Sequence, residues 1–546
     1  MPLISTLISA LFVTVVLIPL LMRHAVKLRL VDVPNERKVH TALVPRIGGI
    51  AMIIGMLVPV LFWFPKDRLF VALIAGVGTL ACFGVWDDRS DLNYRLKFGG
   101  QILASLAVML IGDLYVQWLP FYTMPLDQIW LSLPITLFCL LAITNAMNLS
   151  DGLDGLAGGA SVISFGVVGF MGFQAGSYPL VILTLAVAGS ILGFLRFNSH
   201  PARIFMGDTG SQFLGFVLGV MVILLTQKVN TALSPVLPLF IFGVPVIDTV
   251  TVMIKRIMAG NSPFAPDKNH LHHRLLACGF SHYETVVLLY CFQFGYALIA
   301  YLLRFHVDAV LLSVFLLYSA VILTGIHLIL KFDWVRKYDV RPGRSPAMLL
   351  RRYVTLINIS RLVRLLLLAL LATCTLSALF FARTIAPDIA ILAAGLSLLA
   401  FLNLALVNKQ RWADAVSIYT ACALTAYLGF VQGVQPSGWH LLDWSLVIAL
   451  GVAVWFAVML SNQRMFETSP LDFLVIIVAV LTPLLVTQTE NRALLTLAVI
   501  KFVVLLYAFE FIRSGNPLPG MGMVRGGVAA CMLVIGSSLL WNSAST

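Results

Sequence analysis

Long apolar runs broken by short polar stretches dominate this chain, and they set its fold class before any residue acquires a chemical role. About eleven runs, each long enough to cross ~30 Å of hydrocarbon, start near Leu3, Ile47, Leu69, Gly99, Trp130, Leu156, Pro179, Ser211, Val236, Thr285 and Asp308. About seven more follow between Leu365 and Trp541. The apolar residues lie in unbroken runs and do not alternate, which excludes a closed outer-membrane barrel. The pattern predicts an all-α polytopic integral membrane protein, with a core over residues 1–340 and a multi-span extension over 341–546. The basic stretch 331–353 separates them, and its Pro342-Gly343 and Ser345-Pro346 pairs favour turns over a continuing helix. The first run lacks a preceding cation and a small-residue cleavage site, so it is read as a true span.

Composition agrees. The 546 residues are 60% hydrophobic and 11% charged, against about 25% charged in an ordinary soluble domain. A soluble enzyme, a disordered chain and a fibrous protein are thereby excluded. The net charge is +12, and its distribution carries more information than its size. Loops of one parity hold 22 Lys and Arg and the opposite loops hold four, which predicts a periplasmic N-terminus and basic loops in the cytoplasm. The cations therefore give no sign of nucleic-acid binding. The seven cysteines are scattered without a CxxC and read as small buried hydrophobes.

The acidic and histidine residues gather in a few strings, all on the predicted cytoplasmic side. Asp87-Asp88 ends the third run. Adjacent carboxylates repel, and such a pair suits divalent-metal binding or proton transfer. The string NAMNLSDGLDGLAGG at 145–159 spaces Asn148, Asp151 and Asp154 at i, i+3 and i+6. On a helical turn these would share roughly one face, while the glycines allow close backbone approach to a ligand. The string NSHPARIFMGDTGS at 198–211 sets Asp208 at the mouth of the eighth run, with Thr209 and Ser211 as expected caps of the helix that follows. The string SPFAPDKNHLHHRLL at 262–276 holds three of the ten histidines. No Cys or HExxH accompanies them, and the cations Lys255, Arg256, Lys268 and Arg274 favour an anion site with charge-assisted donors. The first loop adds VDVPNERKVH at 31–40, a weaker phosphate contact.

One chemistry unites these strings. Carboxylates can hold Mg²⁺, which prefers oxygen ligands and often bridges phosphates. Cationic side chains can neutralise a pyrophosphate. Placed at the inner membrane surface, they describe phosphoryl-group transfer from a soluble nucleotide donor to a lipid acceptor.

These five strings, in this order, resemble the polyprenyl-phosphate N-acetylhexosamine-1-phosphate transferases over about residues 1–340. The resemblance implies catalytic roles for Asp87, Asp88, Asp151, Asp154 and Asp208, with Asp208 and Asp154 holding Mg²⁺ (Mn²⁺ being the alternative). It implies substrate contacts from Asp32, Lys38, Asn148, Asn198, Phe205, Arg256, His270, His272 and His273. The implied donor is a UDP-N-acetylhexosamine, because HLHH resembles the N-acetylglucosamine branch. The implied acceptor is undecaprenyl phosphate, and the step would initiate O-antigen or another surface glycan at the bacterial inner membrane. A homo-oligomer is left open. The extension departs from the simple family pattern and carries no catalytic constellation, so a packing or partner role is expected there. Two rivals compete. A transporter or lipid flippase would place its polar residues near the bilayer midplane. An inactive transferase-like scaffold would not be expected to keep all five strings.

Overall fold

The computed structural model describes residues 3–332 apart from 33–42, 123, 127 and 263–269, and short stretches between 365 and 508. The chain divides into two compact units, Ser9–Asp339 and Met1–Ile8 with Val340–Thr546. Within the second, the described stretches 445–454 and 500–508 are helical. Most of the seven runs expected there lie outside the described residues.

The first unit is built from helices. In chain order they are α1 (Leu3–Leu28), α2 (Gly48–Trp63), α3 (Arg68–Ser90), α4 (Tyr94–Leu110), α5 (Ile129–Leu149), α6 (Leu156–Gln174), α7 (Tyr178–Asn198) and α8 (Gly207–Leu224). A π-helical turn, Leu225–Val229, extends α8. Then come α9 (Leu237–Ile241), α10 (Gly243–Met258), α11 (Leu271–Ala277), α12 (His282–Leu303) and α13 (Asp308–Phe332). Each of the eleven apolar starts falls at or within a few residues of a helix. Among the described residues, eight helices are long and apolar enough to cross a membrane. The other five of α1–α13 are shorter: α2 and α10 have 16 residues, α4 has 17, α9 has five and α11 has seven. The ninth run splits at Phe242 into α9 and α10.

The fold is all-helical as expected, apart from one minimal strand pair. Val31–Asp32 (β1) and Val44–Pro45 (β2) pair antiparallel, Val31 opposite Pro45 and Asp32 opposite Val44. Strands of two residues lie below the length at which alternation in a sequence is readable.

The core is organised around α8. Its apolar residues surround the whole helix, as suits a helix buried on every side, and residues 209–227 are all buried. Helices α2, α3, α5 and α6 pack around it. Small residues set those distances, since in lipid helices associate by close packing more than by hydrophobic expulsion. Gly49 of α2 meets the backbone of Gly210 so closely that a Cβ on Gly49 would lie 2.3 Å from the Gly210 nitrogen. The contact is locked by hydrogen bonds from Gly48 N to Phe205 O at 3.0 Å and from Gly49 N to Met206 O at 2.9 Å. The segment before α2 is thereby tied to the segment before α8.

Overpacking a tight backbone crossing costs about 1–3 kcal/mol or more. Gly49→Ala should therefore lower the melting temperature of the purified protein in detergent. Gly78→Ala, at an exposed position with open space around it, should leave it unchanged. Equal melting of the two variants would show that the α2–α8 crossing is not tight.

Candidate active site

The N-terminal end of α8 gathers side chains from four helices. A helix leaves its first backbone N–H groups without intrahelical partners. Here a carboxylate from another helix takes two of them. Asp88, in the last turn of α3, accepts from Asp208 N at 2.9 Å and Thr209 N at 3.1 Å, and from the Thr209 hydroxyl at 2.6 Å. The negative charge also suits the positive end of the helix dipole. Thr209 and Ser211 were expected to cap α8; instead Thr209 donates to Asp88 and the helix has no side-chain cap of its own. Gly207 permits the arrangement twice over. Its φ is +69°, and a Cβ there would lie 2.4 Å from an Asp88 oxygen.

Asp88's neighbour is equally committed. Asp87 is buried at 1% exposure. It accepts from Leu92 N at 2.7 Å and pairs with Lys97 Nζ at 2.6 Å. Lys97, from the first turn of α4, reaches Asp208 as well, at 3.3 Å. Asn148, at the end of α5, donates to the other Asp208 oxygen at 2.6 Å and to the Ser211 hydroxyl at 2.7 Å. Below them, Gln101 donates to Gln212 and accepts from Asn145, joining α4, α5 and α8 by a buried amide ladder. Asp208 is thus aimed by Lys97 and Asn148 while keeping partial exposure.

The expectation that Asn148, Asp151 and Asp154 share one helical face is overturned. Helix α5 ends at Leu149, and residues 150–155 run as a turn into α6. Their side chains consequently diverge. Asp151 faces Asp208, Asp88 and Asp154, and among the described residues its side chain has no hydrogen-bond or ion-pair partner. Burial, with repulsion from those three carboxylates, pushes its pKa up to about 7. Asp154 turns instead to His200, whose Nδ1 lies 2.7 Å from its Oδ2, and it accepts from Ala202 N at 3.1 Å.

Asn198 staples the two loops together. It accepts from Gly155 N at 2.8 Å and donates to Ile204 O at 2.9 Å. Phe205 enters through its backbone, its N–H donating to Pro45 O at 2.8 Å. Asp32 in β1 forms an ion pair with Arg46, and Arg46 also approaches Asp91 at 3.8 Å. Lys38 lies outside the described residues.

The histidine string forms a neighbouring group. His270 and His272 stack with ring centroids 5.7 Å apart, and His272 and His273 lie at 4.2 Å. Asp248 of α10, buried at 4% exposure, takes His270 Nδ1 at 2.8 Å and Leu271 N at 2.6 Å. His272 packs on Gly152 so tightly that a Cβ there would lie 2.4 Å from the ring. Burial, reinforced by repulsion from His273, pulls the His272 pKa down to about 4. This ring is therefore neutral at physiological pH, not the charge-assisted donor expected. Arg256 is buried in the last turn of α10.

Lys97 and Asp248 were missed in the sequence. Lys97 was counted among the loop cations that set orientation. Asp248 had a visible signal: it is a lone acid in the apolar run FGVPVIDTVTV, and such residues mark function more often than chance.

The donor set suits a hard divalent cation. Asp208 and Asp151 present carboxylate oxygens, and Asp151 stands among three other carboxylates with no ion-pair partner among the described residues.

These features define a multi-pass helical membrane protein with a built acidic centre at the end of its central helix. Residues 70–226 match Glycosyl transferase family 4. The chain is 37% identical over 320 residues to a probable undecaprenyl-phosphate N-acetylglucosaminyl 1-phosphate transferase of Bacillus subtilis (strain 168), covering 58% of this chain and 88% of that protein. It is 33% identical over 302 residues to the undecaprenyl-phosphate alpha-N-acetylglucosaminyl 1-phosphate transferase of Yersinia pestis, covering 54% and 83%. It is 37% identical over 301 residues to the decaprenyl-phosphate N-acetylglucosaminephosphotransferase of Mycolicibacterium smegmatis, covering 49% and 73%. The chain belongs to glycosyl transferase family 4, as a phospho-sugar transferase.

The raised Asp151 pKa has a measurable consequence for the metal-free protein. Between the unfolded value near ~3.9 and about 7, the folded chain keeps a proton that the unfolded chain has lost. The folded state binds more protons in that window, so stability falls as pH rises through it. The melting temperature in chelator should drop between pH 4 and pH 7 by an amount that Asp151→Asn reduces. An unchanged slope in the variant would mean Asp151 titrates normally.

Proposed function

We propose that this chain transfers N-acetylglucosamine 1-phosphate from UDP-N-acetylglucosamine to undecaprenyl phosphate and releases UMP. In this reading the N-terminus is periplasmic, the site faces the cytoplasm of a bacterial inner membrane, and the product initiates O-antigen or another surface glycan. The observation that carries it is Asp208, held at the tip of the central helix between Lys97 and Asn148 beside the Asp151 carboxyl. The relatives' activity supports the same conclusion.

The reaction is a displacement at phosphorus. An oxygen of the lipid phosphate bonds to the phosphorus that bears the sugar. The anhydride bond to the uridylyl phosphate breaks, and UMP leaves with the electron pair. A phosphate monoester has a second pKa near ~6 and is largely ionised at neutral pH, so attack needs little help from a base. The geometry favours this direct route. Both oxygens of Asp87 are already committed, to Leu92 and Lys97, and both oxygens of Asp88 serve α8. We assign Asp87 and Asp88 to positioning Lys97 and Asp208 respectively.

Lys97 would neutralise charge on the transferred group. Asp208 and Asp151 would hold Mg²⁺, with Mn²⁺ as the alternative, and Asn148 would orient Asp208 for it. Bound there, the ion supplies charge neutralisation on the pyrophosphate. Asp154 is assigned outside this set because its carboxylate engages His200. Arg256, His270, His272 and His273 would receive the sugar diphosphate. Asp248 would orient His270 for that task, since a carboxylate on Nδ1 leaves Nε2 free to meet the ligand. Asp32, Lys38, Asn198 and Phe205 would shape the rim. The extension over 341–546 would serve packing or a partner, with the eleven-span core and seven-span tail retained as the working topology.

UMP release by the purified protein with undecaprenyl phosphate, Mg²⁺ and individual UDP-sugars tests this reading directly. Release should need both lipid and metal. Asp208→Asn should reduce it by at least about 100-fold, and Lys97→Met by a similar factor, with expression preserved. Turnover at the wild-type rate by the Asp208 variant would remove Asp208 from the mechanism. A chain ending after Tyr353 should still transfer; a well-folded but inactive truncation would make the tail part of the catalytic unit.

A further inference from the structure

The ninth apolar run breaks in mid-course, and the break is held from another helix. Pro245 has no backbone N–H, so the carbonyl of Ile241, four residues earlier, lacks the donor a continuing helix would give it. Helix α9 accordingly ends at Ile241 and α10 begins at Gly243. A membrane protein tolerates a broken helix where neighbouring elements satisfy the freed backbone groups. Here Gln293, in the middle of α12 and 0% exposed, serves both sides of the break. Its amide nitrogen donates to Ile241 O at 2.8 Å, and its Oε1 accepts from Val244 N at 3.0 Å. The other amide hydrogen goes to the Ser164 hydroxyl of α6 at 3.0 Å, and that hydroxyl donates to Ile241 O at 2.8 Å. The break needs a donor on one side and an acceptor on the other, which a side-chain amide supplies at once. One turn further along α12, Tyr296 lies so near that a Cβ on Gly243 would be 2.2 Å from its ring.

The break sets where α10 points. Val244, Asp248, Val252 and Arg256 are buried and follow at four-residue spacing, hence on one face. Val250, Ile254 and Ile257 are exposed on the other flank, which does little to steer the helix. Asp248 stands one turn beyond Val244 and takes both His270 Nδ1 and Leu271 N. A rotation of α10 about its first turn would carry this carboxylate, and the histidine string with it. Displacements of about 1 Å, remote from the chemistry, are enough to slow a reaction by up to ~100-fold.

We propose that Gln293 is a positioning residue for the sugar-diphosphate end of the site. Its amide fixes the angle between α9 and α10, and so the place at which Asp248 presents His270. This inference rests on the transferase reading above. Gln293 itself touches no substrate; its effect passes through the backbone of Ile241 and Val244.

Gln293→Met keeps an unbranched side chain of similar length and removes the three hydrogen bonds. In the full-length protein in detergent it should raise KM for UDP-N-acetylglucosamine about 10-fold while leaving kcat and KM for undecaprenyl phosphate within about twofold. Ser164→Ala, which removes one of the two donors to Ile241 O, should act in the same direction by less. Asp248→Asn should raise the same KM, and adding Gln293→Met to it should raise it little further, because the two act along one route. Amide hydrogen exchange gives a readout that needs no turnover. Gln293→Met should speed exchange in peptides from α10 and α11 and leave those from α8 unchanged. A folded Gln293→Met protein with wild-type KM and wild-type exchange would overturn the proposal. So would exchange that rises throughout the first unit while kcat and both KM values change together, since that marks lost stability alone. Fully additive effects of Gln293→Met and Asp248→Asn on KM would overturn the route through α10. Absence of UMP release by the wild type with any UDP-sugar would sink the transferase reading instead, and the exchange pattern would then decide on the Gln293 latch by itself.

Discussion

The buried carboxylate of Asp88 at the N-terminus of α8 is the interaction on which the rest of the site depends. An unpaired charge inside a membrane protein is expensive, and so is a buried helix end with unsatisfied N–H groups. Here the two costs cancel each other. Two backbone donors and a hydroxyl satisfy Asp88, and Asp88 satisfies α8. The bond also fixes geometry. It joins α3 to α8 across about 120 residues of sequence, and it sets where Asp208, the next side chain, must point. Gly207 is required because the carboxylate occupies the space a side chain would need.

Charge balance follows from that arrangement. Lys97 is shared by Asp87 and Asp208, Asp88 is held by the N-terminus of α8, and Asp151 adds a fourth carboxylate that has no hydrogen-bond or ion-pair partner among the described residues. Proteins tolerate such an excess when a protonated carboxyl or a bound cation relieves it. The raised Asp151 pKa is the first kind of relief, and the oxygen-rich donor set provides for the second. Because Lys97 is shared between Asp87 and Asp208, its position is over-determined. It is preorganised toward incoming negative charge, which is the form of electrostatic stabilisation that costs least reorganisation during a reaction.

Much of the framework was legible in the sequence. The apolar runs are long, so the starts predicted near Leu156 and Asp308 coincide with the helix starts, and those near Ile47, Leu69, Trp130 and Pro179 fall within a residue of them. The polar strings drew attention to the right neighbourhoods, since carboxylates in an apolar chain are conspicuous. What failed was geometry that depends on distant contacts. A local reading assigned the α8 cap to Thr209 and Ser211, whereas the cap comes from α3. Spacing put Asn148, Asp151 and Asp154 on one face, but the Gly-rich stretch breaks the helix after Leu149. Lys97 looked like any other loop cation until α4 was packed against α3 and α8. The strap of β1 and β2 is too short to carry a readable pattern, and its pairing is closed by Arg46 and Phe205 across the fold.

The six residues from Ser150 to Gly155 explain why that break in the helix is worth making. A continuous helix would fix the directions of successive side chains by its own period. As a turn, the segment serves four. Asp151 faces the acidic centre. Gly152 lets the His272 ring lie on the backbone, bringing the histidine string within reach of that centre. Asp154 meets His200, and Gly155 receives both Asn198 and Tyr290. These contacts come from the end of α7 and the loop after it, from α11 and from α12, so the turn is where α7, α11 and α12 are referenced to α5 and α8. Displacing it would disturb the carboxylates, the histidines and the loop of His200 together. Glycine at 152 is dictated by the imidazole above it, and glycine at 155 by a φ of +80°. The density of Asp and Gly in this stretch therefore has two causes: carboxylates that must face different ways, and a backbone that must come close enough to its neighbours to let them.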